Sequence, residues 1–199
     1  MFKDLGGMKE ILEELITILV PLFNPKLRRE LGVKPIGGIL LHGVPGCGKT
    51  RLAHAIAYET GYNFYPTSAT AIVSGVSGDS EKNIRELFSI AKRTAPSIIF
   101  IDEIDAIASN RDNLQRQMET RIVTQIMLCM DEVNNDDDHH DHDDYNSETS
   151  NDQPLPHVLV IGATNKPNAI EPSLRRPGRF DREILVPIPN ESARKEILT

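Results

Sequence analysis

The eight residues Gly43-Val44-Pro45-Gly46-Cys47-Gly48-Lys49-Thr50 constrain this chain more than any other stretch. They follow the short apolar run Gly38-Ile39-Leu40-Leu41-His42 and lead into a helical stretch from Leu52 to Tyr58. Strand, glycine-rich loop and helix, in that order, are the context in which Gly-x-x-x-x-Gly-Lys-Thr cradles phosphates. Glycines let successive backbone N–H groups curl around phosphate oxygens, and the helix N-terminus adds its dipole. Lys49 brings a point charge to the β- and γ-phosphates, and the Thr50 hydroxyl suits Mg2+, a cation that takes few protein oxygens. Gly43, Pro45, Gly46, Cys47, Gly48, Lys49, Thr50 and the adjoining Arg51 are the expected nucleotide contacts.

The rest of the chain repeats the same unit. Asn63–Pro66, Ser97–Ile101 and His157–Ile161 read as further strands, with Glu183–Ile188 as a fifth. Between them Ile84, Leu87, Phe88 and Ala91 share one helical face, and Ile122, Ile126 and Cys129 share another. Leu12, Leu15, Ile16 and Leu19 predict an amphipathic helix from Met8 to Val20, stopped before Pro21. Apolar strands alternating with helices predict a three-layer α/β sandwich around a parallel five-stranded sheet. At 199 residues and 39% hydrophobic, the chain has material for one such core.

Two carboxylates end the third apolar run, in Ile98-Ile99-Phe100-Ile101-Asp102-Glu103. The carboxyl ends of parallel strands face the ligand crevice, so both should meet the phosphate loop. With Asp102 committed to the Mg2+ shell, Glu103 is left to orient and deprotonate a water. Asp105, further on, reads as a structural cap or pair. Asn165 in Ala163-Thr164-Asn165 should emerge at the same edge, where a neutral amide can hold that water; taken alone it also suits a turn. Asn165-Lys166-Pro167-Asn168 lacks the acid that guanine recognition needs at position 168, which favours ATP over GTP.

Arg175, Arg176, Arg179 and Arg182 cluster around Pro177-Gly178. They read as an anion patch, as surface charges, or as donors to the phosphate of a neighbouring subunit. Only Phe180 accompanies them as an aromatic, so sequence-specific nucleic-acid binding finds little support.

The net charge of −7 is concentrated in one window, Asp131 to Pro154, which holds ten of the 29 acids and no Lys or Arg. Without it 19 acids face 22 bases, so the remainder carries +3. The window has few apolar residues and reads as a disordered acidic insertion. His139, His140 and His142 stand among its aspartates, but a low-complexity tract lacks the fixed surroundings a metal site needs, so a solvated insertion is the reading adopted. The two cysteines, Cys47 and Cys129, form no disulfide framework. With no run approaching the roughly 20 apolar residues of a membrane span and no signal core, an intracellular protein with no membrane partner is expected.

These residues together resemble the large nucleotide-binding subdomain of an AAA ATPase, from Asp4-Leu5-Gly6-Gly7 through Leu174-Arg175-Arg176-Pro177-Gly178-Arg179-Phe180-Asp181. Gly46-Cys47-Gly48, Ile72-Val73-Ser74-Gly75-Val76-Ser77-Gly78 and Arg121-Ile122-Val123-Thr124-Gln125 are most similar to the first ATPase domain of the nuclear valosin-containing-protein-like branch. The resemblance implies Mg2+-dependent ATP hydrolysis that remodels protein or ribonucleoprotein complexes, with a nuclear or nucleolar setting in ribosome biogenesis. It places Asp4 and Gly6 beside the adenine, makes Asn165 the sensor, and makes Arg176 and Arg179 fingers acting in trans across a hexamer. It puts Gly75-Val76-Ser77-Gly78 at a central pore and the loop after Asn110 at a second pore loop. Val44 stands where the family usually has proline. The chain stops at Glu196-Ile197-Leu198-Thr199, where the family's small helical lid begins. The alternative expectation is therefore a non-catalytic ATP-binding or assembly module.

Overall fold

The computed structural model describes residues 5–23, 30, 32, 35–73, 79–108, 113–143 and 157–198. Five strands form one sheet: β1 (Gly38–His42), β2 (Asn63–Ser68), β3 (Ser97–Asp102), β4 (Val158–Thr164) and β5 (Arg182–Leu185). Every pairing is parallel, and the spatial order is β2-β3-β4-β1-β5. The central runs are short and apolar on both faces because helices cover both. Along β1, Leu40 packs to one side while Ile39 and Leu41 pack to the other. In β3 the same alternation sends Ile99 and Ile101 one way and Ile98 and Phe100 the other. Strand β2, at the edge, is only half-buried and tolerates Pro66, whose missing N–H would break a ladder in the interior.

Helices α1 (Lys9–Phe23) and α2 (Lys49–Thr60) lie on one face. The short α3 (Ala69–Val73), α4 (Asp79–Arg93), α5 (Asp105–Ala108) and the long α6 (Asn113–Asp143) lie on the other. A final helix, α7 (Glu191–Leu198), follows β5. The three-layer α/β sandwich expected from the sequence is the observed fold.

Two local expectations are corrected. Helix α1 does not stop before Pro21; it continues to Phe23. A proline removes one hydrogen bond and disfavours the helical state before it, but Leu15 and Leu19, both buried to 2% exposure or less, hold the helix against the sheet. The acidic window is not loop from its start. Helix α6 carries through Asp131 and on to Asp143, because Met130 and Val133 keep its inner face in the core. Residues 144–156 lie outside the described residues, as do the proposed first pore loop at 75–78 and residues 109–112. Among the described residues no helix is long and apolar enough to cross a membrane, and no cluster of three metal-ligating side chains occurs. Cys47 and Cys129 are free, and burial pushes the Cys129 thiol above its ordinary pKa.

Candidate active site

The strand order brings three loops together. Strand β4 separates β1 from β3, so the loop after β4 emerges between the phosphate loop and the Asp102-Glu103 pair. A crevice at the carboxyl ends of parallel strands follows where successive connections diverge, as they do here when the chain leaves β1 and crosses to the far edge at β2.

The loop's shape is set by its packing. Gly43 has φ of 149°, and a Cβ there would meet the Val186 carbonyl oxygen at 2.2 Å. The first glycine is needed because the chain passes directly under the end of β5. At Gly46, with φ of 80°, an added Cβ meets nothing within 4 Å, so its left-handed backbone faces open space on the ligand side. Lys49 is 7% exposed. Its ammonium donates to the carbonyl oxygens of Gly43 and Val44, both at 2.9 Å, and to Asn165 Oδ1 at 2.6 Å. These three acceptors offset the cost of taking the side chain out of water.

Thr50 lies in the first turn of α2, and its hydroxyl donates to Asp102 Oδ2 at 2.8 Å. The other Asp102 oxygen accepts the Glu103 N–H at 2.9 Å. Glu103 is the one non-glycine residue with positive φ among those described, at 52°. That conformation costs a residue with a side chain about 1–3 kcal/mol and is retained where neighbours over-determine it. The consequence is a chain reversal that leaves the Glu103 carboxylate exposed beside the crevice. Asp105, expected to pair structurally, accepts the Thr164 hydroxyl at 2.8 Å.

Beside the phosphate loop lies a cleft of about 240 Å3. Gly6, Gly46, Cys47, Gly48 and Arg51 line it; Asp4 lies outside the described residues. Met8, Val186, Pro187, Pro189 and Ile197 belong to its apolar wall, alongside Leu5 and Ile11. No pattern in the sequence marks those five, because three separate segments supply them. The N-terminal loop is closed onto α7: Gly7 N–H donates to Glu196 Oε2 at 2.7 Å, and a Cβ on Gly7 would collide with Ala193.

The arginines have four different surroundings. Arg175 makes a two-pronged bond to Glu183 at 2.6 and 2.7 Å, which holds the Glu183 carboxyl below its ordinary pKa. Arg179 grips Asp131 on α6 with Nε and Nη2, at 2.9 and 2.8 Å. Its Nη1 donates to the Ser173 carbonyl at 2.6 Å and lies 2.9 Å from Met127 Sδ. The hydrogen bonds to Asp131 raise the Arg179 pKa further. The Arg176 side chain is exposed and takes no partner among the described residues, its carbonyl accepting the Arg179 N–H, while Arg182 is exposed on β5. The turn between them is tied down by Asp181, which accepts from Gly37 N–H at 2.7 Å and Gly178 N–H at 2.6 Å, and by Asn134, which donates to the Gly178 carbonyl. The two arginines that the resemblance joins as fingers are thus held differently, one outward and one inward.

A parallel sheet whose first loop presents a buried lysine and a hydroxyl to a carboxylate pair on the next-but-one strand defines the phosphate-loop nucleoside triphosphatase class. Residues 39–188 match the ATPase family associated with various cellular activities (AAA), and the chain belongs to that family. It is 57% identical over its whole length to the Arabidopsis thaliana protein named Cell division control protein 48 homolog C, covering 23% of that protein. It is 48% identical to Nuclear valosin-containing protein-like of Mus musculus, over 99% of this chain and 21% of that one. It is 46% identical to Ribosome biogenesis ATPase RIX7 of Saccharomyces cerevisiae, over 98% of this chain and 22% of that one. The chain spans between a fifth and a quarter of the length of these relatives.

Proposed function

We propose that this domain binds Mg2+-ATP on Gly43–Thr50 and hydrolyses it with Glu103 as the base, as one motor unit of an oligomer that remodels protein or ribonucleoprotein complexes. The observation that carries the reading is the convergence of Lys49, Thr50, Asp102, Glu103 and Asn165 at one sheet edge, tied by the Thr50–Asp102 and Lys49–Asn165 bonds. The donors fit the group: a hydroxyl and a carboxylate oxygen 2.8 Å apart are the hard oxygen ligands Mg2+ takes. When bound, Mg2+ neutralises charge on the β- and γ-phosphates. Thr50 and Asp102 would hold it directly or through its waters. Lys49 exchanges its loop carbonyls for phosphate oxygens, the glycine backbone supplies N–H donors, and the apolar cleft of Met8, Pro187 and Ile197 takes the flat base. Glu103 accepts the proton of the attacking water, and Asn165 holds that water in line.

Arg176 is the donor offered to a neighbour's γ-phosphate, because its guanidinium is exposed; Arg179 anchors the loop that presents it. Oligomerisation, as the hexamer of the family, follows as part of this reading. A nuclear or nucleolar setting and pre-ribosomal cargo are proposed on the printed names of the mouse and yeast relatives. The test is Glu103→Gln in the full-length polypeptide that carries this domain. It should retain Mg2+-ATP binding and lose turnover by at least about a hundredfold, the scale of removing a general base. Unchanged turnover would remove Glu103 from the mechanism. Lys49→Ala should weaken nucleotide binding itself.

A further inference from the structure

Two loops must keep register for this chemistry, one carrying Glu103 and one carrying Asn165, and two hydrogen bonds stitch them together. Ile104 N–H donates to the Ala163 carbonyl at 3.0 Å, and Thr164 Oγ1 donates to Asp105 Oδ1 at 2.8 Å. Each stitch joins a residue just beyond Glu103 to a residue just before Asn165. The second stitch is made by side chains alone and so can be removed without altering the backbone.

Thr164 is 1% exposed, and its oxygen also accepts the Lys166 N–H at 2.9 Å. A hydroxyl has one hydrogen to give and lone pairs to receive. Asp105 takes that hydrogen, which fixes the rotor and leaves a lone pair pointing at Lys166. The Asn165 peptide lies inside the resulting turn, so the acceptor on Asp105 decides the conformation of the segment that presents the sensor amide. On its own side, Asp105 opens α5 two residues after the left-handed Glu103, and Ala106 N–H returns to the Glu103 carbonyl at 2.8 Å.

We propose that Asp105 is a positioning residue which, through its bond to the buried Thr164 hydroxyl, sets Glu103 and Asn165 relative to each other around the attacking water. The inference rests on the assignment of Glu103 and Asn165 above. Asp105 acts through the Thr164 side chain it holds. A displacement on the scale of 1 Å between base and sensor costs turnover rather than affinity, because the nucleotide is held by the phosphate loop on the other side of Asn165.

The experiment measures steady-state ATP turnover and binding of a fluorescent ATP analogue by the assembled full-length polypeptide. Asp105→Ala and Thr164→Val each lower kcat by about 10- to 100-fold, with KM and the analogue's Kd within about twofold. Asp105→Asn, which keeps an acceptor oxygen, stays within about threefold of the parent kcat. The Asp105→Ala/Thr164→Val double variant falls no further than Thr164→Val alone, since that single change already removes the bond to Asp105 together with the one from Lys166 N–H. Thr164→Val is nearly isosteric and decides the matter if Asp105→Ala melts early. Unchanged kcat in Thr164→Val, or an Asp105→Asn variant as slow as Asp105→Ala, overturns the proposal. Glu103→Gln run alongside distinguishes the levels: if it keeps turnover, base assignment and positioning role fall together. If it alone is inactive, only the positioning role falls.

Discussion

The loops after β1, β3 and β4 and the arginine segment after β4 are built on opposite plans. The phosphate side is made of elements that the sheet itself places, and its polar groups bond mainly to each other: Lys49 to Asn165, Thr50 to Asp102, Thr164 to Asp105. The arginine segment is irregular chain held to α6 from outside, by Asp131 on Arg179 and Asn134 on Gly178, and it leaves Arg176 exposed. One region is finished within the chain. The other leaves a charge exposed at the surface, as the proposed completion of a neighbour's site would require.

This contrast breaks most sharply at Arg176. Arg176→Ala should cost turnover in the assembled protein on the order of 10³-fold, with melting temperature and nucleotide affinity unchanged. A variant that turns over normally would make the segment an ordinary surface. The phosphate side should respond in the opposite sense, through folding. Gly43→Ala forces a Cβ to 2.2 Å from the Val186 oxygen and should destabilise the domain by at least about 2 kcal/mol, seen as a lower denaturant midpoint.

Arg179→Ala lies between the two. Its loss removes the anchor on Asp131, whose side chain is 42% exposed and partly screened, so about 1 kcal/mol is expected. Turnover should fall less than in Arg176→Ala; an equal fall with no change in melting would make Arg179 a second finger. The smallest effect is acid-dependent. Arg175 depresses the Glu183 pKa in the folded state, so this pair stabilises the fold above the ordinary carboxylate value of about 4.3 and is lost as pH falls through the lowered one. Glu183→Gln should lower the melting temperature slightly at neutral pH and leave it unchanged below the depressed carboxylate pKa, which flattens the acid limb.

Much of this could be read from residue order. The phosphate loop, the carboxylate pair and Asn165 are contiguous motifs attached to apolar runs, and a parallel sheet delivers the ends of such runs to one edge. The parts that escaped are those whose signal is split between distant segments. Five residues of the apolar cleft wall come from the N-terminal loop, the stretch after β5 and α7. The Arg179–Asp131 pair joins residues 48 apart, and composition alone groups Asp131 with the acids of a loop. Its helix persists because Met130 and Val133 are buried, a fact of packing that composition averages away. Pro21 misled in the same way, a local rule overruled by Leu15 and Leu19 in the core.

The amino-acid sequence by itself determined the family, the α/β layering and the identity of the groups at the phosphate edge. Glycine spacing, apolar period and strand-end carboxylates are local properties that survive without knowledge of neighbours. Tertiary structure alone decided which arginine faces outward, how Glu103 and Asn165 are stitched through Asp105 and Thr164, and what walls the cleft. Those outcomes depend on desolvation and on hydrogen bonds between segments up to 189 residues apart, and a buried donor takes whichever acceptor the fold brings within reach.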